Sequence, residues 1–331
     1  MEEYNIRYAD FDDIPAIKRF INENWKKDHI LAREENLFAW QYTSDKLDYV
    51  IATDSNGDIQ GMLGFISYSD EEDRDIATSM WKANPGTGFL GIKLLMFIQN
   101  NEKHRTLFSP GINVKTSGGI YKRMQISTGK MNQWYRLNDQ TEYKVAKIIE
   151  KHVPECNMVN NCAVIEYETY EHFLADFNHA KYVGKDMVPY KSLEYISRRY
   201  FKHPSYQYMI YGIKPDGTET TAVMVLRLQN CKDTCVLRFV DCIGDVEAIS
   251  DVTSFLDNLL VQYNAEYIDM YEKGVSDAIL RENGWTLLSE TNNIIPNYFS
   301  PFEQCNVDVN YCTTDNSIIL FRGDGDQDRP N

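Results

Sequence analysis

The run Asn84-Pro85-Gly86-Thr87-Gly88-Phe89-Leu90-Gly91 sets three glycines before the apolar stretch Ile92-Lys93-Leu94-Leu95-Met96-Phe97-Ile98. Glycine reaches positive φ and lets a ligand approach the main chain without meeting a Cβ. The first N–H groups of a helix have no intrahelical partner and point beyond its end. A glycine turn entering a helix therefore suits a phosphate held by main-chain donors; the plain alternative is a Pro-Gly turn feeding a buried helix. A Walker loop is excluded, because Lys93 is misplaced and Leu94 stands where Ser or Thr is required. Gly86, Gly88 and Gly91 meet the dinucleotide spacing, but the run lies well inside the chain. Glu102 falls in a charged turn, not at a strand end where it would meet a ribose.

The elements around this loop follow from pattern. Ile6–Ala9 reads as a strand, and Asp10–Asp13 caps a helix to about Asn24 with Ile14, Ile17, Phe20 and Ile21 at helical spacing. A polar and aromatic segment from Trp25 to Tyr42 follows. Tyr49–Thr53 and Ile59–Tyr68 flank the turn Asp54-Ser55-Asn56-Gly57-Asp58 as a hairpin. Asp75–Lys82 is the fourth strand, and the glycine loop with its helix comes next. Arg105–Phe108, a helix around Thr116–Met124, and a strand over Lys130–Leu137 complete the series.

Composition narrows the field. The chain has 331 residues with 34 Lys plus Arg against 49 Asp plus Glu, a net charge of −15 without a basic cluster, which argues against nucleic acid as a partner. No apolar stretch approaches the length of a membrane span, and the acidic start Met1-Glu2-Glu3-Tyr4 is no signal peptide. Seven cysteines, Cys156, Cys162, Cys231, Cys235, Cys242, Cys305 and Cys312, read as reduced thiols of a cytoplasmic protein. Neither they nor the scattered histidines form a metal-ligand set, so no metal is expected. The acidic run Gly323-Asp324-Gly325-Asp326-Gln327-Asp328-Arg329-Pro330-Asn331 lacks the later ligands of a calcium loop and reads as a solvated tail.

This element order, with a glycine turn after the fourth strand and Gly111-Ile112-Asn113 and Ile120-Tyr121-Lys122-Arg123-Met124 downstream, resembles the GNAT superfamily of acyl-CoA N-acyltransferases. The resemblance covers about residues 1–140. It departs from the family at Ala83 or Pro85, where Gln or Arg is usual, and at Gln125-Ile126, where Gly-Phe is usual. It implies a coenzyme site at Gly86, Thr87, Gly88, Phe89, Leu90 and Gly91. Main-chain N–H groups near Met80 and Trp81 would meet the thioester oxygen. The resemblance further implies Tyr121 as general acid to the departing thiolate, with Ser109 and Asn113 on the coenzyme arm or a bound water. His29 is the candidate base, and Trp25, Trp40, Trp134 and Tyr135 are the aromatic candidates for the acceptor.

From Tyr190 onward the order of elements repeats that of residues 49–137, as an internal duplication would. In the second copy the loop becomes Ile243-Gly244-Asp245-Val246, and Leu280 stands at the Tyr121 position. A carboxylate at a helix start competes for the donors that would hold pyrophosphate. The expected fold is thus α/β (α+β): two tandem GNAT-like domains, each a mixed, largely antiparallel sheet flanked by helices. Residues 1–140 form a catalytic domain with the acyl-CoA site, and 141–331 a connecting segment and a degenerate second domain. The function implied is N-acyl transfer from acetyl-CoA or another acyl-CoA to a small-molecule amine. A looser resemblance of Trp40-Gln41, His203-Pro204 and Ile295-Pro296-Asn297-Tyr298-Phe299 to proteins of bacterial polysaccharide biosynthesis suggests a nucleotide-linked amino sugar as acceptor. The competing readings are a non-catalytic acyl-CoA-binding protein and an aminoacyl-tRNA-dependent transferase; the net charge opposes the second.

Overall fold

The computed structural model describes residues 3–154 and 162–330; Cys156 lies outside the described residues. Strand β1 (Asn5–Tyr8) leads to a reciprocal capping box, in which Asp10 accepts from the Asp12 N–H and Asp13 accepts from the Asp10 N–H. Helix α1 (Ile14–Asn24) follows, burying Ile17, Phe20 and Ile21. Two short helices, α2 (Ile30–Arg33) and α3 (Glu35–Tyr42), occupy the segment that lacks a sequence pattern. Strands β2 (Tyr49–Thr53) and β3 (Ile59–Ser67) form the expected hairpin. In its turn Gly57 takes φ 85° and the Asp54 carboxylate accepts from the Asn56 and Asp58 N–H groups. Then come β4 (Asp75–Ala83), α4 (Leu90–Asn101), β5 (Thr106–Pro110), α5 (Val114–Arg123), β6 (Ser127–Lys130) and β7 (Asn132–Leu137).

The second half starts with β8 (Ala163–Glu166), α6 (Tyr170–Asp176), α7 (His179–Tyr182) and α8 (Leu193–Ile196), which runs into a π-helical turn at Ser197–Phe201. It continues with β9 (Met209–Lys214), β10 (Ala222–Cys231), β11 (Thr234–Gly244), α9 (Thr253–Gln262), β12 (Tyr267–Lys273), α10 (Asp277–Glu282) and β13 (Thr286–Leu287). Two strands remain, β14 (Asn310–Thr313) and β15 (Leu320–Phe321).

The first sheet has the order β1-β2-β3-β4-β5-β14-β6, the second β13-β7-β12-β11-β10-β9-β8. The described strand pairs are antiparallel except β4 with β5 and β11 with β12, where a helix crosses over. The sheets therefore match position by position: β8 to β12 stand as β1 to β5 do, and β13 as β6. Two tandem copies of one mixed fold result.

The boundary at residue 140 does not follow the sheets. Strand β7 lies between β12 and β13 in the second sheet, and β14 lies between β5 and β6 in the first. Each half lends a strand to the other. The single strand expected over 130–137 is two, in different sheets.

Helix α4 covers one face of the first sheet, setting Leu90, Leu94, Leu95 and Ile98 against Val50, Leu63 and Leu107. Helix α9 does the same in the second half with Leu256, Leu259 and Leu260. The opposite faces share one core, with Ile51, Ile66 and Phe108 from the first sheet and Val223, Val225 and Val240 from the second.

The acidic run near residue 324 is a correction to the sequence reading, because it is interior. Asp324 is 0% and Asp328 2% exposed. Asp324 faces Lys191 at 3.0 Å and accepts from the Tyr68 hydroxyl; Asp328 accepts two bonds from Arg227. A buried carboxylate persists only when paired, and these are.

Candidate active site

Parallel pairing of β4 with β5 covers only Asp75–Ala77 against Thr106–Phe108. The Ser109 hydroxyl then donates to the Thr78 carbonyl at 2.7 Å. Beyond that tie the strands part. The cause lies in β4, where Met80 takes φ 52° and the pairing with β3 passes from Ser79 to Lys82, skipping Met80 and Trp81. Such a bulge bends its strand and frees its main-chain groups from the ladder. The resulting cleft, about 310 Å³, is lined by Met80 and Trp81 on one side, Ser109 and Asn113 on the other, with Tyr121 and Trp25.

Tyr121 projects from α5 and is 1% exposed. Burial first, then the neighbouring Cys312 of β14, pushes its phenol well above the ordinary tyrosine range. Burial likewise pushes the Cys312 thiol up to about 12. Both hydrogens stay on at neutral pH. Asn113 caps α5, accepting from the Lys115 N–H at 3.1 Å.

The glycine loop lies at the outer end of β4. Gly86 and Gly88 take φ 86° and 64°, and a Cβ on either would meet nothing within 4 Å. Their conformation is thus required by the turn and not by packing. Phe89 precedes α4 without capping it by a side chain, which leaves the first-turn donors after Leu90 to an anion or solvent. The Trp81 indole donates to the Gly91 carbonyl at 3.0 Å and fastens the loop to the bulged strand. Leu90 is buried and its N–H donates to the Thr87 carbonyl at 3.3 Å, so it presents no donor to a ligand; Phe89 is 69% exposed.

Three further sequence candidates lie elsewhere, and the reasons are physical. Trp134 and Tyr135 are wholly buried on β7 in the second sheet, where the Trp134 indole donates to Glu272 and the Tyr135 hydroxyl accepts from Asn293. They are core of the other half. Trp40 is half-buried, donates to the Arg198 carbonyl and packs on His203 at 4.3 Å, outside the cleft.

His29 is also outside the cleft lining; its Nδ1 accepts from the Leu31 N–H and caps α2. Burial first, then Arg329 and Lys26, pushes its pKa down to about 3, far below what a base at neutral pH needs. An imidazole neutral in the folded chain but charging near 6.5 when unfolded favours folding fully above 6.5, and this contribution fades as pH falls toward 3. Wild type should therefore lose stability relative to His29→Asn across that range in urea denaturation. A constant difference between pH 7 and 4 would show an ordinary imidazole.

Sequence reasoning missed the far wall of the cleft, which is formed by Tyr298, Asp308, Val309, Asp326, Gln327 and Arg329. Gln327 donates to the Pro110 carbonyl, and Arg329 reaches both Asp326 and the Met80 sulfur. The alternation of Asp with Gly was the only local signal, and it suggested solvent.

The second half has the same opening but fills it. There β11 pairs with β12 over Leu237–Phe239, and the register shifts opposite Val225 and Leu226. Strand β15 pairs with Glu272 and Lys273 beyond that point, and the Gly323 N–H donates to the Val240 carbonyl at 2.7 Å. Asp245 accepts from the Glu247 N–H, so a carboxylate caps the turn that corresponds to the glycine loop. Leu280 is buried.

Among the described residues no group of three or more His, Cys, Asp or Glu is placed to hold a metal ion, and no helix is long and apolar enough to cross a membrane. No family model matches the sequence, and no curated protein does. Solved structures do resemble it. A GCN5-related N-acetyltransferase from Anabaena variabilis aligns with TM-score 0.57 at 8% identity, over 94% of this chain and 72% of that one. One from Kribbella flavida gives TM-score 0.58 at 8% identity, over 94% and 71%. A putative acetyltransferase from Pyrococcus horikoshii gives 0.51 at 10% identity, over 96% and 92%. At such identities the likeness is one of fold, and it spans both halves of the chain.

Proposed function

We propose that the protein is an acyl-CoA N-acyltransferase that moves an acetyl or other acyl group from the coenzyme to the amine of a small acceptor. The observation that carries this reading is the parting of β4 from β5 at the Met80 bulge, with Tyr121 in the wall of the cleft. The residues suit the coenzyme: unladdered main chain on β4 is followed by open glycines and a helix start without a side-chain cap. The bound coenzyme supplies an activated thioester carbonyl carbon.

Main-chain donors at Met80 and Trp81 stabilise charge developing on the carbonyl oxygen. The acceptor nitrogen bonds to the carbonyl carbon, the carbon–sulfur bond breaks, one proton leaves nitrogen and one reaches sulfur. Tyr121, held protonated by burial, gives the second. The first passes to solvent water beside Asp326, a carboxylate of the cleft wall that faces the ammonium. Ser109 holds the two strands at the point where they part. A nucleotide-linked amino sugar is our choice of acceptor, and the cytoplasm our choice of compartment, where the described cysteines, none of them in a disulfide, would stay reduced.

Isothermal titration of the full chain with acetyl-CoA and longer acyl-CoAs should give saturable binding of one equivalent, since β15 fills the second opening. Absence of binding to every acyl-CoA would sink the reading; two equivalents would sink the assignment of one site.

A further inference from the structure

A second cavity of about 300 Å³ adjoins the cleft, and Tyr298, Asp326, Gln327 and Arg329 line both. Its walls carry four guanidinium groups, those of Arg227, Arg238, Arg322 and Arg329. Their carboxylate partners are three. Asp328 pairs with Arg227 at 2.6 Å, Asp269 with Arg238 at 2.8 Å and also with Arg322, and Asp326 with Arg329 at 2.9 Å. One positive charge is therefore left over, in a chain whose net charge is −15.

The surplus falls on Arg238 and Arg322, which share Asp269. Arg322 is 5% exposed, and its buried Nε has no hydrogen-bond partner among the described residues. Burial first, then Arg238, pushes its pKa down to about 10. A buried donor on a cation is costly unless something accepts from it. The forks are also fixed in place: Arg227 lies over the Tyr206 ring at 4.0 Å, Arg238 over Phe299 at 4.8 Å and Arg322 over Tyr271 at 4.6 Å. Planar, pre-set guanidinium groups suit the paired oxygens of a carboxylate or phosphate.

We infer that the acceptor is an anionic amine, whose carboxylate or phosphate sits in this arginine-lined cavity while its amine passes Asp326 into the cleft. The inference rests on the acyl-transfer reading for the amine end only; the anion site stands on the cavity. Asp326 at the junction attracts the ammonium end, and the surplus cation holds the other, so one molecule is oriented by charge at both ends.

The test is a set of matched pairs with the full chain and acetyl-CoA, following release of the coenzyme thiol and, separately, binding by calorimetry. The phosphate arm compares glucosamine 6-phosphate and UDP-glucosamine with glucosamine; the carboxylate arm compares alanine with alaninamide. In one arm the anionic member should exceed its neutral counterpart in kcat/KM by about 100-fold or more, and which arm responds names the anion. Arg329→Gln, at the half-open rim, should cut that ratio at least about 10-fold. Arg322→Lys, which keeps the charge but loses the fork, should also cut it. Acyl-CoA affinity measured on each variant reports that it is folded. Ratios near one in both arms, in protein that binds acyl-CoA, overturn the inference and leave the acyl-transfer reading intact. Binding of an anionic amine by protein that binds no acyl-CoA does the reverse.

Discussion

Tyr121→Phe should lower kcat by about 10²- to 10⁴-fold, the usual worth of a positioned proton donor. The affinity for acyl-CoA should stay within about twofold of wild type, since only one hydroxyl is lost. The reasoning is local. A thiolate leaves more readily when a proton arrives, and Tyr121, buried and protonated on α5, lines the cleft. Phenylalanine keeps the ring, so its packing against Trp81, at 5.8 Å between centroids, is retained. Single-turnover measurement of thiol release separates the chemical step from binding. Unchanged kcat would remove Tyr121 from the acid role and direct attention to the neighbouring Cys312.

The second large effect is on stability. Asp269 on β12 is wholly buried and carries Arg238 and Arg322, while accepting from the Gln133 side-chain amide at 3.0 Å. Asp269→Ala should cost about 3–5 kcal/mol, because removing one partner leaves buried cations uncompensated. Here two are stranded at once. Denaturant unfolding of the full chain, with linear extrapolation, measures the loss. A change under about 1 kcal/mol would mean that water reaches the two guanidinium groups and that the network is not closed.

What could be read from the residues was local. The hairpin over 49–67 and the glycine loop follow from turn chemistry and side-chain period, and the structure has both. The duplication was legible because the order of elements repeats even where the chemistry does not, as at Asp245 and Leu280. The exchange of β7 and β14 was not legible. Asn-Tyr-Cys-Thr at 310–313 is four residues long, and nothing within it specifies a partner some two hundred residues earlier. Trp134 and Tyr135 were misplaced for the same reason: both faces of β7 are buried, so its aromatics look like those of a site until the sheet is known.

Asp324, Asp326 and Asp328 show the limit in another form. Acidic residues among glycines suggest solvent, because the compensating Lys191 and Arg227 lie about a hundred residues or more away and cannot be recognised as neighbours by spacing. The far wall of the cleft therefore stayed hidden, and with it the arginine cavity. The arginine cavity is assembled from residues far apart in the chain, whereas the glycine loop is one continuous run.

The mutual loan of strands also has a consequence for synthesis. Until Thr313 has been made, β5 and β6 have no strand between them, and each would present an open edge able to pair with other chains. A nascent first half is therefore a template for aggregation, and residues 3–140 alone would not make an autonomous unit. Most strand pairings join neighbours in chain order, but the four made by β7 and β14 join residues 106–137 to residues 267–313 and raise the contact order. Folding should accordingly be post-translational and cooperative across the whole chain, at the slower end for a protein of mixed topology.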